Sequence, residues 1–351
     1  MGNSLFAPDI FSRPRPAFYH ADQAACAEVG EILQRHYAFS AEQIQSVERL
    51  EGLEINSQNF KVVTAVKTYA LKKSGVQVKK DDVAIQLSLS QALRQDGVPF
   101  AAIITTVNDN FFAQDGDRLW ILSDFVEGTY FTGTYAELDV VAQAVALLQA
   151  QLDQSDAAQD LPLFGALNSW SNTVSIFTAL FERSAEWPEL FPASEAAALL
   201  AAQSRLEHVF YQTVGRLKNI VNTPAPVHID LHPHNILMGP NDVPVIIDLD
   251  SLQRADRVQS LGFAIFKLVR QHIVQERPSD FSAPARHFFK RLNISEADIA
   301  LYETKATAEV LRRIGIIADL NMNKGNRDWN AVLHIHLAAL DEIPHIFGSK
   351  E

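Results

Sequence analysis

Residues 227–250 read VHIDLHPHNILMGPNDVPVIIDLD, and no other stretch says as much about the fold and its chemistry. A His-x-Asp step stands at His228 and Asp230, an asparagine follows five positions later at Asn235, and Asp248 closes a short Val/Ile run. Phosphoryl transfer leaves little covalent work to a protein. Catalysis consists of placing a hydroxyl in line and neutralising charge on the phosphates. Asp230 suits the first task as a general base for the acceptor hydroxyl. Asn235 and Asp248 suit the second, because Mg²⁺ takes hard oxygen ligands and bridges phosphates. Asp and Asn in a His-Pro-rich loop also serve as turn and capping residues. That reading covers each residue singly but not the two elements in this order. His228, His232 and His234 are zinc-ligand types as well, yet the same loop accounts for them without a metal of that kind.

Outward from this segment the pattern divides. Upstream, residues 22–36 carry apolar positions at helical spacing behind Asp22, a good N-cap. Short β-rich runs follow at 60–65 (FKVVTA), 68–72 (TYALK), 102–106 and 119–126, with a helical run at 82–93. Asp115-Gly116 is a hairpin signal, since primed turns need positive φ. Beyond Gly128 strand signals nearly vanish, and helical runs occupy 135–154, 194–218, 261–276 and most of 295–346, with one short strand expected at 244–247. The expectation is an α+β chain of two lobes. Residues 1–128, with the leading helix 22–36, form a mostly β nucleotide-binding lobe, and residues 129–351 form a helical lobe with the catalytic loop and acceptor site. A cleft between such lobes is the natural ligand site.

Composition agrees. The chain has 351 residues, 47% hydrophobic and 21% charged, enough for two packed lobes. Thirty Lys and Arg against 42 Asp and Glu give a net charge of −12, which disfavours binding to nucleic acid or anionic membrane and weakly favours a cationic acceptor. The single cysteine, Cys26, permits no intrachain disulfide and suits the cytoplasm. The first residues lack an apolar signal core, and no run approaches a membrane span.

The segment 227–250 resembles the catalytic loop and metal-binding aspartate of the aminoglycoside phosphotransferase and choline kinase family, distant relatives of protein kinases that use H-x-D-x-x-x-x-N followed by an Ile-Asp element. The resemblance implies a protein-kinase-like two-lobe fold, with His228 structural, Asp230 the base, and Asn235 and Asp248 the Mg²⁺ ligands. It extends more weakly over residues 23 to 270. Residues 49–62 (RLEGLEINSQNFKV) resemble the hairpin that covers the nucleotide, with Asn59 as its asparagine. The run 69–72 (YALK) resembles the strand whose lysine contacts the α- and β-phosphates, so Lys72 is the expected contact and Lys73 its rival. Residues 122–128 (LSDFVEG) resemble the hinge, where the Asp124 carbonyl and Val126 amide would meet the base of ATP or GTP.

Two positions depart from the family pattern. Gln86 stands where a helical glutamate usually pairs with the lysine, and a neutral amide would hold Lys72 less firmly. The covering loop has only Gly52, which limits close approach of its backbone to phosphates. Asp250 is open between a metal or substrate contact and loop packing. The expected activity is transfer of the γ-phosphoryl of a Mg-nucleotide to a hydroxyl of a sugar, amino alcohol or aminoglycoside-like acceptor. The competing readings are a catalytically weak nucleotide-binding regulatory module on the same fold and an interaction scaffold. The acceptor site is expected within 168–189 and 298–329.

Overall fold

A computed structural model describes residues 5–6, 15–51, 57–76, 78–165 and 169–348. Gly52 and Asn168, named above, lie outside the described residues.

The N-terminal part is an antiparallel sheet with a helix on each face. Its strands are β1 (Phe18–His20), β2 (Ile44–Leu50), β3 (Gln58–Thr64), β4 (Thr68–Lys73), β5 (Ile103–Ile104), β6 (Ala113–Asp115) and β7 (Arg118–Asp124), ordered β1-β2-β3-β4-β7-β5 with β6 on β7. Helix α1 (Gln23–Tyr37) begins at Asp22, whose carboxylate accepts the Ala25 amide at 2.8 Å. It buries Val29, Ile32, Leu33 and Tyr37 against Phe60, Val62, Leu71, Trp120 and Leu122 of the sheet. Each such buried side chain contributes about 1.5–3 kcal/mol of transfer free energy. Helix α2 (Lys80–Gln95) packs Val83, Leu87 and Leu93 into the large second core, which also takes Leu119 and Ile121 from the opposite face of β7.

The two-residue period of β4 sorts its lysines. Lys73 turns to the α1 face, where it pairs with Glu28 at 2.6 Å and lies 5.1 Å over the Trp120 ring. Lys72 turns the other way. The sequence left these two as rivals, and their alternation separates them.

The remainder is mostly helical: α3 (Tyr135–Gln154), α4 (Trp170–Glu182), α5 (Trp187–Leu190), α6 (Ala193–Leu217), α7 (Arg257–Glu276), α8 (Ala283–Arg291), α9 (Ile299–Lys324) and α10 (Leu333–Phe347). Helices α7 and α9 cross closely at Gly262, where a Cβ would come 2.7 Å from the Tyr302 carbonyl oxygen. None of the described helices is long and apolar enough to cross a membrane.

Between α6 and α7 the structure holds more β pairing than the single strand expected. Strands β9 (Pro224–His228) and β12 (Leu252–Asp256) pair antiparallel, His228 opposite Leu252. Inside that closure, β10 (Ile236–Met238) pairs with β11 (Pro244–Ile246) and with β8 (Thr129–Tyr130). Pro224 and Pro226 hide β9 from a propensity reading, because proline suits a strand that has a ladder on one side only. Backbone ties join this region to the N-terminal part: the Ile246 amide donates to the Pro99 carbonyl at 2.7 Å, and Gly128 lies so close to β10 that a Cβ would stand 2.1 Å from the Met238 oxygen.

Candidate active site

The β9–β12 closure presents Asp230, Asn235, Asp248 and Asp250 on one short stretch of chain. His228, buried at the end of β9, holds the loop from beneath: the Asp230 amide donates to its Nδ1 and its Nε2 faces the Ile247 carbonyl, both at 3.4 Å. With Nδ1 accepting, the proton belongs on Nε2. Burial lowers the pKa of this imidazole, so it stays neutral. Its structural role was expected.

Asn235 spans the loop. Its Nδ2 donates to the Asp230 carbonyl at 2.8 Å, and its own carbonyl accepts the Ile247 amide at 3.0 Å, one residue before Asp248. The amide nitrogen is thereby spent on the loop, and Oδ1 is the atom left for a ligand. Asp248 follows β11 in the left-handed region (φ +64°), a conformation Asp tolerates better than most residues. Ser251 Oγ donates to its Oδ2.

Lys72 reaches this cluster from β4. Its Nζ lies 2.5 Å from Asp248 Oδ1 and 2.6 Å from Asp250 Oδ1. Burial disfavours the ammonium, but the two carboxylates outweigh it and raise the lysine pKa. Burial likewise pushes Asp248 up, and Lys72 and Ser251 bring it below the usual range. Asp250 goes the other way, raised by burial and then by Asp248 despite Lys72. Asp250 is thus part of the charged cluster, paired with Lys72.

Gln86 corrects an expectation. It does not stand in for a glutamate against Lys72. Buried on α2, it donates from Nε2 to the Asp250 carbonyl at 2.8 Å and the Leu252 carbonyl at 2.9 Å. Both partners are acceptors, so only the amide nitrogen can face them. The side chain anchors the backbone of the acidic segment, and Lys72 is held by Asp248 and Asp250.

The remaining predicted residues lie on β3, at the end of β7 and in the connection after it. Asn59 sits opposite Lys72 in the β3–β4 register. Asp124 ends β7, its amide donating to the Ala102 carbonyl and its carboxylate accepting Lys67 at 2.6 Å. Val126 is half-buried in the connection that leads to Gly128.

Arg313, on α9, escaped the sequence reading. Its Nη2 donates to Asp230 Oδ1 at 2.9 Å, its Nε donates to Glu309 Oε1 at 2.9 Å, and its guanidinium lies 4.3 Å over the Phe263 ring. Glu309 is also held by Arg312 at 2.5 Å and Gln259 at 2.8 Å. Burial would raise the Asp230 pKa, but Arg313 and then His232 hold it well below the usual carboxylate range. His232 Nε2 stands 3.6 Å from Asp230 Oδ2. Asp230 therefore presents an ionised carboxylate with Oδ1 taken by Arg313 and Oδ2 faced by His232 Nε2. No local motif announces Arg313; the only sequence signal was its place within 298–329.

Asn235 Oδ1, Asp248 and Asp250 form a hard-oxygen set, and the carboxylates already converge on one cationic centre, Lys72 Nζ. The donor chemistry fits Mg²⁺.

A family model described as "Phosphotransferase enzyme family" matches residues 46–287, more than half of the chain. The protein belongs to that family, and it is a phosphotransferase. No curated protein matches the sequence. Among solved structures, a spectinomycin phosphotransferase in complex with ADP and spectinomycin is similar at TM-score 0.62 and 15% identity, over 90% of this chain and 98% of that one. A microcompartment-associated aminopropanol kinase is similar at TM-score 0.62 and 16% identity, over 90% and 95%. The choline kinase of Streptococcus pneumoniae is similar at TM-score 0.54 and 14% identity, over 92% and 99%. At such identities these likenesses speak for the fold, which is the kinase-like α+β fold expected.

Proposed function

We propose that this phosphotransferase is a small-molecule kinase that moves the γ-phosphoryl group of a Mg-nucleotide, ATP or GTP, to an acceptor hydroxyl. The carrying observation is Asp230: an ionised carboxylate with Oδ1 fixed by Arg313 and Oδ2 left to His232 at 3.6 Å, tied through Asn235 to the Lys72–Asp248–Asp250 cluster. Solved relatives in fold that hold ADP and spectinomycin, or AMP-PNP and Ca²⁺, support a nucleotide donor.

In the reaction the acceptor hydroxyl donates to Asp230 Oδ2. As the new P–O bond forms, that proton passes to Asp230 and the bond from the γ-phosphorus to the β–γ bridging oxygen breaks, leaving a nucleoside diphosphate. Lys72 supplies positive charge to the phosphates, and Asn59 with the Asp124 carbonyl and Val126 amide holds the nucleotide. Asn235 and Asp248 would hold Mg²⁺, which would supply positive charge to the phosphates. Residues 1–128 contribute the nucleotide side and residues 129–351 the acceptor side. The test is Asp230→Asn, measured by nucleoside diphosphate release over a panel of hydroxylated acceptors. Turnover should fall by about 10²–10⁴-fold with nucleotide affinity retained by calorimetry. An unchanged rate would remove Asp230 from the role of base.

A further inference from the structure

We propose that the acceptor carries a carboxylate beside the hydroxyl it offers, and that the Arg313 guanidinium binds that carboxylate. The inference rests on the reading of Asp230 as the base, and it adds the substrate class. A guanidinium has five N–H donors. In Arg313, one on Nε goes to Glu309 and one on Nη2 goes to Asp230, which leaves both donors of Nη1 and the second of Nη2 without a partner among the described residues. A guanidinium receives a carboxylate in two parallel hydrogen bonds from two neighbouring nitrogens, and here Nη1 keeps both donors and Nη2 keeps one. The side chain is 23% exposed, and its position is set by the Phe263 face as well as by the two carboxylates. The donor edge is therefore already fixed before any ligand arrives.

Position ties this edge to the reaction. A hydroxyl at hydrogen-bond distance, about 2.7 Å, from Asp230 Oδ2 lies on the same carboxylate that Arg313 grips by Oδ1. A group two or three bonds from that hydroxyl meets the guanidinium. The charges that could welcome a cation there are already committed. Asp230 Oδ1 is taken by Arg313, and Glu309 is shared among Arg313, Arg312 and Gln259. The buried His336 belongs to the same region and is kept neutral by burial, then by Arg313 and Lys267. The net charge of −12 over the whole chain pointed weakly to a cationic acceptor. Around Asp230 the carboxylates are instead already paired with Arg313, Arg312 and Lys72.

The test uses acceptor pairs that differ only in the carboxylate: serine and ethanolamine, threonine and 1-amino-2-propanol, homoserine and 3-amino-1-propanol. Each is assayed for nucleoside diphosphate release with Mg-ATP and with Mg-GTP. In at least one pair the carboxylate-bearing member should have the higher kcat/KM, by about tenfold or more, because it alone fills the open fork. Arg313→Gln should collapse that ratio, and Arg313→Lys should restore part of it. The ratio is the informative quantity, since any change at Arg313 also disturbs Asp230 and lowers turnover of both members. Equal or better use of the amino alcohols overturns the inference, and so does a ratio unchanged in Arg313→Gln. If no member turns over, the same pairs are titrated calorimetrically into the protein with Mg-ADP, and absence of carboxylate-dependent binding overturns it as well. The kinase reading fails separately, through the Asp230→Asn result.

Discussion

Replacing Gln86 by the glutamate usual in the family should harm this protein, not improve it. Gln86 spends both amide protons on carbonyl oxygens, those of Asp250 and Leu252, and it is 3% exposed. A glutamate there is either ionised, with its oxygens against two carbonyl oxygens and close to the Asp250 segment, or protonated, with one donor for two acceptors. Keeping a carboxyl protonated at pH 7 costs about 1.4 kcal/mol for each unit above its ordinary pKa near 4.3, or about 3–4 kcal/mol. The lost hydrogen bond adds about 1 kcal/mol. Gln86→Glu should thus destabilise the protein by about 4–5 kcal/mol, a drop of about 5–10 °C in melting temperature. The sign of its pH dependence follows from linkage. A carboxyl whose folded pKa is raised costs stability above its unfolded pKa, so the deficit should shrink as pH falls towards about 5. Thermal melting from pH 5 to 8 measures both effects, and nucleotide KM is read in parallel. If Gln86→Glu melts at or above the wild-type temperature and lowers nucleotide KM, the side chain pairs with Lys72 after all, and the backbone-anchor account is wrong.

Lys72→Met should reduce kcat/KM for nucleotide by about 10–100-fold, the loss of a charge-assisted phosphate contact. The same variant should bind Mg²⁺ more tightly without nucleotide, because the ammonium no longer occupies Asp248 and Asp250; calorimetric titration distinguishes this from misfolding. In the pH profile of kcat/KM, Asp230 is active when ionised and its pKa is depressed, so the acid limb should lie below the ordinary carboxylate range and move upward in Arg313→Gln. Glu309 is pushed up by burial but brought down to about 2 by Arg312, from an ordinary value of 4.5. The stability it contributes is complete above about 4.5 and fades as pH falls towards about 2, so Glu309→Gln should flatten the acid side of a melting-temperature profile. Gly128→Ala would drive a Cβ into the Met238 carbonyl. It should lower the melting temperature by several degrees and raise nucleotide KM, since β8 must leave β10.

The acidic loop 228–250 was legible as one unit because its residues lie close together in sequence. Asp230, Asn235 and Asp248 fall within nineteen positions, and β9–β12 pairing brings Asp250 beside them. The sheet was legible from its alternation, which also sorts Lys72 from Lys73. Strands β9, β10 and β12 were missed because prolines and short length hide them. Gln86 was misread because family position fixes where a side chain starts, not what it meets. Arg313 was invisible for a related reason. An arginine in a helix of alternating charge and apolar residues looks like any surface arginine until packing on Phe263 turns it towards Asp230.

The β9–β12 closure also bears on how the site assembles. Thirty-three residues, from Pro224 to Asp256, fold back on themselves, so most of the anionic groups need only a short loop to be closed before they stand together. The two cations that balance them come from much farther off, Lys72 from 176 residues before Asp248 and Arg313 from 83 residues after Asp230. Contacts across such separations are slow to form compared with local ones. The acidic half of the centre is a local product of the chain and its neutralisation a global one, so completion of the site reports that the N-terminal sheet and α9 have both docked.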